Sequence, residues 1–391
     1  MQRFKPTYDE HTSFRVVRGF AVRVIALWCA VVVPVSADWP MYRGGPSLRG
    51  LASGSLPEKP SLLWTCNSKD EVRGSLAVVG DRVLFGSVDG HLYCVDKNSG
   101  KKTWAFKTEA EVESTPLVLG DSVYFGGGDG CFYSVDLEKG SVKWKYKTED
   151  RILGAANYVK GPDGSTRIVF GSYDNFLHCV DAGSGKAIWK YEADDYINGA
   201  PAVDGARTVV GGCDAIAHMI DLGDGTKIGG VEVGQPIAGS MAIVDGKVYF
   251  GHYGEEVLCI DVTSEAIDWA YRDRDFAYFS TPAVSENRVV IGGRDKRIHC
   301  LNREDGAKIW QFKTGGGVDC SPVICDNKVV CGSDDGFLYI VDLKSGNKLW
   351  SFEIGEPVQG SPAVADGRIY IGSLDGSVLS LIHISEPTRR S

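Results

Sequence analysis

Three histidines, His178, His218 and His299, are the first side chains to weigh, because imidazole is the usual base and metal ligand near neutral pH. Each stands in the same local setting, three residues before the Asp or Asn that closes a short apolar run. Elsewhere in the chain Tyr93, Tyr133 and Tyr339 occupy that setting. Cys94, Cys179, Cys259 and Cys300 share the next position and read as small buried hydrophobes. Cys320 and Cys331 would fall diagonally on one face of a hairpin turning at Asp326-Asn327, which leaves a disulfide between them open. Asp89, Asp129, Asp174, Asp295, Asp335 and Asp375 each lie in or beside a Gly-containing turn. One acid per turn is a hydrogen-bonded cap, whereas calcium needs six to eight oxygens together. These residues come at equal intervals, so their chemistry depends on what the intervals build.

The interval is a repeat. Gly-[Gly/Ser/His]-x-[Asp/Gly] recurs at Gly86, Gly126, Gly171, Gly211, Gly251, Gly292, Gly332 and Gly372, with spacings of 40, 45, 40, 40, 41, 40 and 40. The long interval contains the turn insertion Gly161-Pro162-Asp163-Gly164. Each unit reads as four short strands with period-2 alternation, in the first unit Ser75–Val79, Arg82–Phe85, His91–Val95 and Thr103–Lys107. A 40-residue sheet of this kind cannot bury both faces alone, so copies must stack radially as a β-propeller. Eight units predict an all-β, eight-bladed propeller. Trp104, Trp144, Trp189, Trp269, Trp310 and Trp350 mark the fourth strands. The fifth expected tryptophan is missing, with Ile228-Gly229 in its place. Leu62-Leu63-Trp64-Thr65 precedes the first unit and is expected to close the last blade as its fourth strand, removing the open edge.

Rotational symmetry decides which repeated residues can cooperate. Those on third strands lie far from the axis, so the three histidines are not expected to share a ligand. The residue just before each first strand rings one mouth of the central channel, where all copies converge. That ring reads Arg73, Glu113, Leu153, Asn198, Ala238, Phe279, Asp319 and Gln359, with Glu71, Glu111, Arg151 and Tyr196 two residues earlier. Its varied chemistry beside the uniform Thr281-Pro282, Ser321-Pro322 and Ser361-Pro362 makes it the candidate binding surface. The segment from Tyr271 to Phe279 is expected to add exposed aromatic and charged side chains to the same rim.

The 391 residues carry 42 Lys and Arg against 51 Asp and Glu. A net acidic chain without a basic stripe argues against nucleic acid as partner. Arg15, Arg18 and Arg23, then an apolar run of about ten residues and Val35-Ser36-Ala37, have the order of a signal peptide over residues 1–37. The run is too short to span a bilayer. Residues 38–60 form a lead-in and residues 61–378 the propeller. The string at 379–391 matches no other unit and resembles a translated sequencing adapter; Leu379-Ser380-Leu381-Ile382 can fill the third-strand slot of the last unit by accident, and no functional weight is placed on residues 383–391.

Val95 to Trp104, Val180 to Trp189 and Val341 to Trp350 resemble the Ala-x-Asp-x-x-Thr-Gly-x-x-x-Trp docking repeat of the pyrroloquinoline quinone (PQQ) dehydrogenases and the outer-membrane assembly factor BamB. Asp38-Trp39-Pro40-Met41-Tyr42-Arg43-Gly44 is similar to the opening segment of exported bacterial members. The resemblance implies that Trp64 and the other six tryptophans are structural, each wedging against a neighbouring blade. The quinone enzymes carry adjacent cysteines and a calcium site; this chain has no Cys-Cys pair among its 11 cysteines. The expectation is therefore an exported, periplasmic or secreted, monomeric scaffold without catalytic residues, cofactor or metal, binding a protein or other macromolecule of the cell envelope. A quinone-dependent dehydrogenase or its relic, and a carbohydrate-binding propeller, are the alternatives.

Overall fold

The computed structural model describes residues 38–382. Both the signal-peptide segment and residues 383–391 lie outside the described residues. Within them the chain forms eight antiparallel sheets. Blade one contains Ala77–Val79, Arg82–Ser87, His91–Asp96 and Lys102–Lys107, in spatial order from first to fourth. Blade eight contains Ala363–Ala365, Arg368–Gly372 and Ser377–Ile382, and its fourth strand is Ser61–Asn67 from the other end of the chain. Trp64 pairs with Ser380 across that junction. The closure read from the orphan Trp64 strand is present. Leu379 and Leu381 are buried in it, so the propeller's strands run to Ile382 and not only to residue 378.

Each second and third strand is almost wholly buried, because it has sheet on both sides and blades on both faces. Fourth strands alternate exposed and covered positions, as an outer edge should. Six tryptophans on fourth strands, Trp64, Trp104, Trp144, Trp189, Trp269 and Trp310, then lock one blade to the next. Trp64 Nε1 donates to Lys97 O at 2.8 Å, Trp104 to Leu137 O at 3.0 Å and Trp310 to Leu343 O at 2.9 Å. The ring lies flat on a turn glycine of that next blade. At Gly100, with φ +67°, an added Cβ would stand 2.6 Å from the Trp64 ring, so both the left-handed conformation and the close approach require glycine.

The missing tryptophan belongs to the fourth blade, not the fifth. Lys227–Glu232 is that blade's outer strand and carries Gly229-Gly230 in the tryptophan position. The partner glycine is absent as well. Glu265, at φ 51°, stands where the platform glycine should be, and its carboxylate accepts the Gly230 N–H at 3.1 Å. The two departures compensate each other.

The lead-in does more than precede the barrel. Trp39 exchanges two 2.8 Å backbone hydrogen bonds with Val78 of blade one. Pro40 O accepts from Val118, Pro46 O from Val203, Ser47 O from Ile243, Arg49 O from Val284 and Gly50 O from Ile324. Asn157 Nδ2 reaches Pro46 O, and Leu51–Ala52 pairs in parallel with Val323–Cys325. One short segment thus visits the inner edges of blades one to seven and fills the axis with buried Trp39, Met41 and Leu48. Arg43 is buried with them. It donates to the carbonyls of Pro282 (3.1 Å), Ser321 (3.1 Å) and Pro322 (2.6 Å). Burial pulls its guanidinium below the ordinary arginine value. The channel is closed from one side.

Candidate functional site

The mouth is built from the ends of all eight first strands. Arg73, Glu113, Leu153, Asn198, Ala238, Phe279, Asp319 and Gln359 line a single cavity of about 200 Å³. Its floor is the ring of glycine backbone and hydroxyl side chains one and two residues further on, with Tyr42 of the lead-in. The Tyr42 hydroxyl lies 2.9 Å from Thr281 Oγ1 and 3.2 Å from Ser321 Oγ. Each hydroxyl ties neighbouring blades: Thr115 Oγ1 accepts the Ser75 N–H, Ser75 Oγ the Ser361 N–H and Ser240 Oγ the Ala200 N–H. The cavity is a blind cup.

Glu71, Glu111, Arg151 and Tyr196 are not on the cup's lining but around it. Arg73 bridges Glu71 (2.5 Å) and Glu113 (2.9 Å), which raises its pKa, the Glu71 hydrogen bond contributing most. Arg151 lies over the Tyr173 ring at 4.4 Å, and Tyr173 stacks on Tyr196 at 5.0 Å. These contacts expose a second ring of mouth residues. It is formed by the third residue of each Gly-[Gly/Ser/His]-x-[Asp/Gly] turn and includes Tyr173, Tyr253, Arg294 and Asp334. Arg294 covers the Phe279 ring at 4.0 Å and grips both oxygens of Asp319, at 2.7 to 3.2 Å. Tyr253 meets Phe279 at 4.5 Å. Asp334 Oδ1 accepts from Gln359 Nε2 at 3.2 Å, and burial raises its carboxyl above the ordinary aspartate range, with Asp319 adding to the rise. The unconstrained x between fixed neighbours was the sequence signal for this ring.

The rim segment is narrower than its composition suggests. Of its aromatic side chains, Tyr271 and Tyr278 are buried against His299 and only Phe276 is exposed. Arg272 pairs with Glu255 and Asp275, and Asp273 with Lys308 and Arg274, so its charges are largely spent internally.

The histidines do not converge. His178, His218 and His299 each contact the aspartate four residues earlier, at 2.8 to 3.1 Å, and a tyrosine of the preceding blade, at 3.0 to 3.1 Å. Where tyrosine replaces histidine, as in Tyr93 and Tyr339, its hydroxyl donates to the same aspartate at 2.6 and 2.8 Å. Burial pulls His218 below the ordinary histidine value, although Asp214 opposes it. Asp273, Asp295 and His299 offer three atoms within 4.8 Å, yet Lys308, Arg297 and the imidazole already serve the carboxylates. The turn acids are caps: Asp89 Oδ1 accepts the His91 N–H at 3.1 Å and Oδ2 the Lys69 N–H at 3.1 Å. All cysteines among the described residues are free thiols, Cys320 and Cys331 included. Cys320 Sγ accepts the Gly332 N–H at 3.1 Å, the place that Ser114 Oγ holds toward Gly126 at 2.8 Å. The sulfur is a substituted serine. Burial pushes Cys94 up to about 11 and Cys179, Cys259 and Cys300 to about 12, values that leave them unreactive.

Comparison with known proteins follows the same lines. No curated protein sequence matches the chain. Among solved structures, BamB from Moraxella catarrhalis superposes with a TM-score of 0.70 at 18% identity, covering 83% of this chain and 100% of that one. Quinohemoprotein alcohol dehydrogenase from Comamonas testosteroni gives 0.78 at 12% identity, covering 91% and 82%. A computationally designed protein gives 0.73 at 17% identity, covering 82% and 99%. At these identities the likeness is one of fold. The family described as outer membrane protein assembly factor BamB matches in four overlapping stretches, residues 57–160, 158–228, 224–312 and 294–386, and the chain belongs to that family.

Proposed function

We propose that this chain is an exported, non-catalytic scaffold that docks a protein partner of the cell envelope at the mouth of its propeller. The observation that carries the reading is the contrast between slots. Positions for docking tryptophans, turn acids and blade-tying hydroxyls recur round the ring, while the mouth slot varies and still brings all its side chains onto one cavity. A rigid frame presenting varied polar and aromatic groups is what recognition of a partner requires. Family membership favours the same reading, and so does the basic, apolar, small-residue order of the N-terminus. A quinone reading fits less well. A planar tricarboxylate needs cationic groups free to meet it, but Arg73 is held between two glutamates and Arg294 grips Asp319.

Affinity capture with the signal-free chain and with an Arg73→Ala, Glu113→Ala, Asp319→Ala variant tests the proposal. Partner recovery is expected to fall with the variant while its melting transition stays cooperative. Equal recovery by both proteins would remove the mouth from the account. Tight binding of added PQQ and calcium with dye-linked alcohol oxidation would replace the scaffold with an enzyme.

A further inference from the structure

The cup's chemistry narrows what the partner must present. Resting on the docking reading above, we propose that the mouth receives a lysine side chain carried on a loop of the partner, its ammonium seated in the cup on the Asp319 side, with Asp334 of the outer ring behind the lining residue Gln359. Three features lead there. First, Tyr42 closes the floor and the volume of about 200 Å³ suits a single side chain rather than a strand or helix. Second, the lining on that side includes the Ser321 and Ser361 hydroxyls, each with lone pairs and a rotatable O–H to turn toward a guest. Third, this sector of the mouth holds one guanidinium for two carboxylates. Arg294 hydrogen-bonds Asp319, and Asp334 has only the Gln359 amide as a hydrogen-bond donor; burial and Asp319 hold its carboxyl high.

Lysine suits the site better than arginine. The guanidinium wants a free carboxylate edge, and Asp319 already gives both its oxygens to Arg294. A compact ammonium needs only converging oxygens. Phe279, with Tyr253 against it, offers an apolar wall for the methylene stem.

The probe is the tripeptide acetyl-Gly-Lys-Gly-amide, read by saturation-transfer NMR on the folded chain, against its norleucine and Nε-acetyl-lysine counterparts. Saturation should reach the lysine methylenes, and binding should weaken about tenfold or more with either neutral counterpart and with Asp334→Asn. A second readout needs no variant: the Asp334 carboxyl midpoint, followed by carbon NMR, should move down when the lysine peptide is added. Equal binding of the lysine and norleucine peptides, an unmoved Asp334 midpoint, or occupancy of the cup by a pyranose in place of the peptide would overturn the proposal. Loss of lysine binding with intact mouth-dependent partner capture would sink this inference alone; loss of both would sink the docking reading.

Discussion

Gly229 and Glu265 show how a single exception reveals a rule. At six blade junctions a tryptophan ring lies on a glycine that no Cβ could replace; at the fourth the ring and its platform are both gone. Glu265 spans the gap with its carboxylate, from a left-handed backbone that disfavours it. Gly229→Trp alone should destabilise, since the ring meets Glu265. Glu265→Gly alone should be nearly neutral, relieving strain while losing one hydrogen bond. The double variant should restore the docking geometry and melt above both, with a coupling of about 1 kcal/mol or more in a denaturant cycle. Additive effects would mean that the slot is not what the other junctions make it.

His218 gives the pH behaviour at the same scale. Burial favours its neutral form, so its folded value lies below its unfolded one. The stability it contributes is therefore complete above the unfolded value of about 6.5 and is lost as pH falls below it. Unfolding midpoints measured between pH 8 and 5 should decline on the acid side, and His218→Gln should flatten part of that decline. A variant whose profile overlays the wild type would place the effect elsewhere.

Among the elements, the lead-in is the one that changes the reading of the molecule, and the one least legible beforehand. Strands announced themselves through alternation and equal spacing, so the blade count and the Trp64 closure could be read from residue positions. The lead-in has no period of its own. Its partners are backbone N–H groups of six different first strands, and such bonds leave no side-chain signature. Its close packing shows only in the structure: Gly50, at φ +59°, has no room for a Cβ against the Arg43 guanidinium. The mouth divides similarly. The pre-strand ring was legible because symmetry alone places it, whereas Tyr173, Tyr253, Arg294 and Asp334 sat unweighed inside the turn motif that located the blades. Arg43→Met should cost about 3 kcal/mol, because three buried carbonyls lose their donor. Hydrogen exchange should quicken at the amides of Val203, Ile243, Val284 and Ile324, which the lead-in covers. Unchanged exchange at those amides would show that Arg43 does not hold the segment in place.

At the largest scale, closure and plugging give the described propeller a single varied opening. Ser61–Asn67 and Ser377–Ile382 meet in blade eight, six tryptophans clamp one blade to the next, and the axis is filled from one side. A frame closed and plugged in this way suits a surface meant to hold a partner in fixed orientation and not to remodel it. No helix among the described residues is long and apolar enough to cross a membrane. The central claim is that the partner sits on this mouth and not on the blades' outer edges. Site-specific photo-crosslinking in the intact cell envelope addresses it directly, with the photoreactive residue at Gln359 or Tyr196 in one set and at Ile188 or Ile309 in the other. The account predicts one discrete protein adduct from the mouth positions and none from the outer strands. Adducts from Ile188 or Ile309 with none from Gln359 and Tyr196 would contradict it.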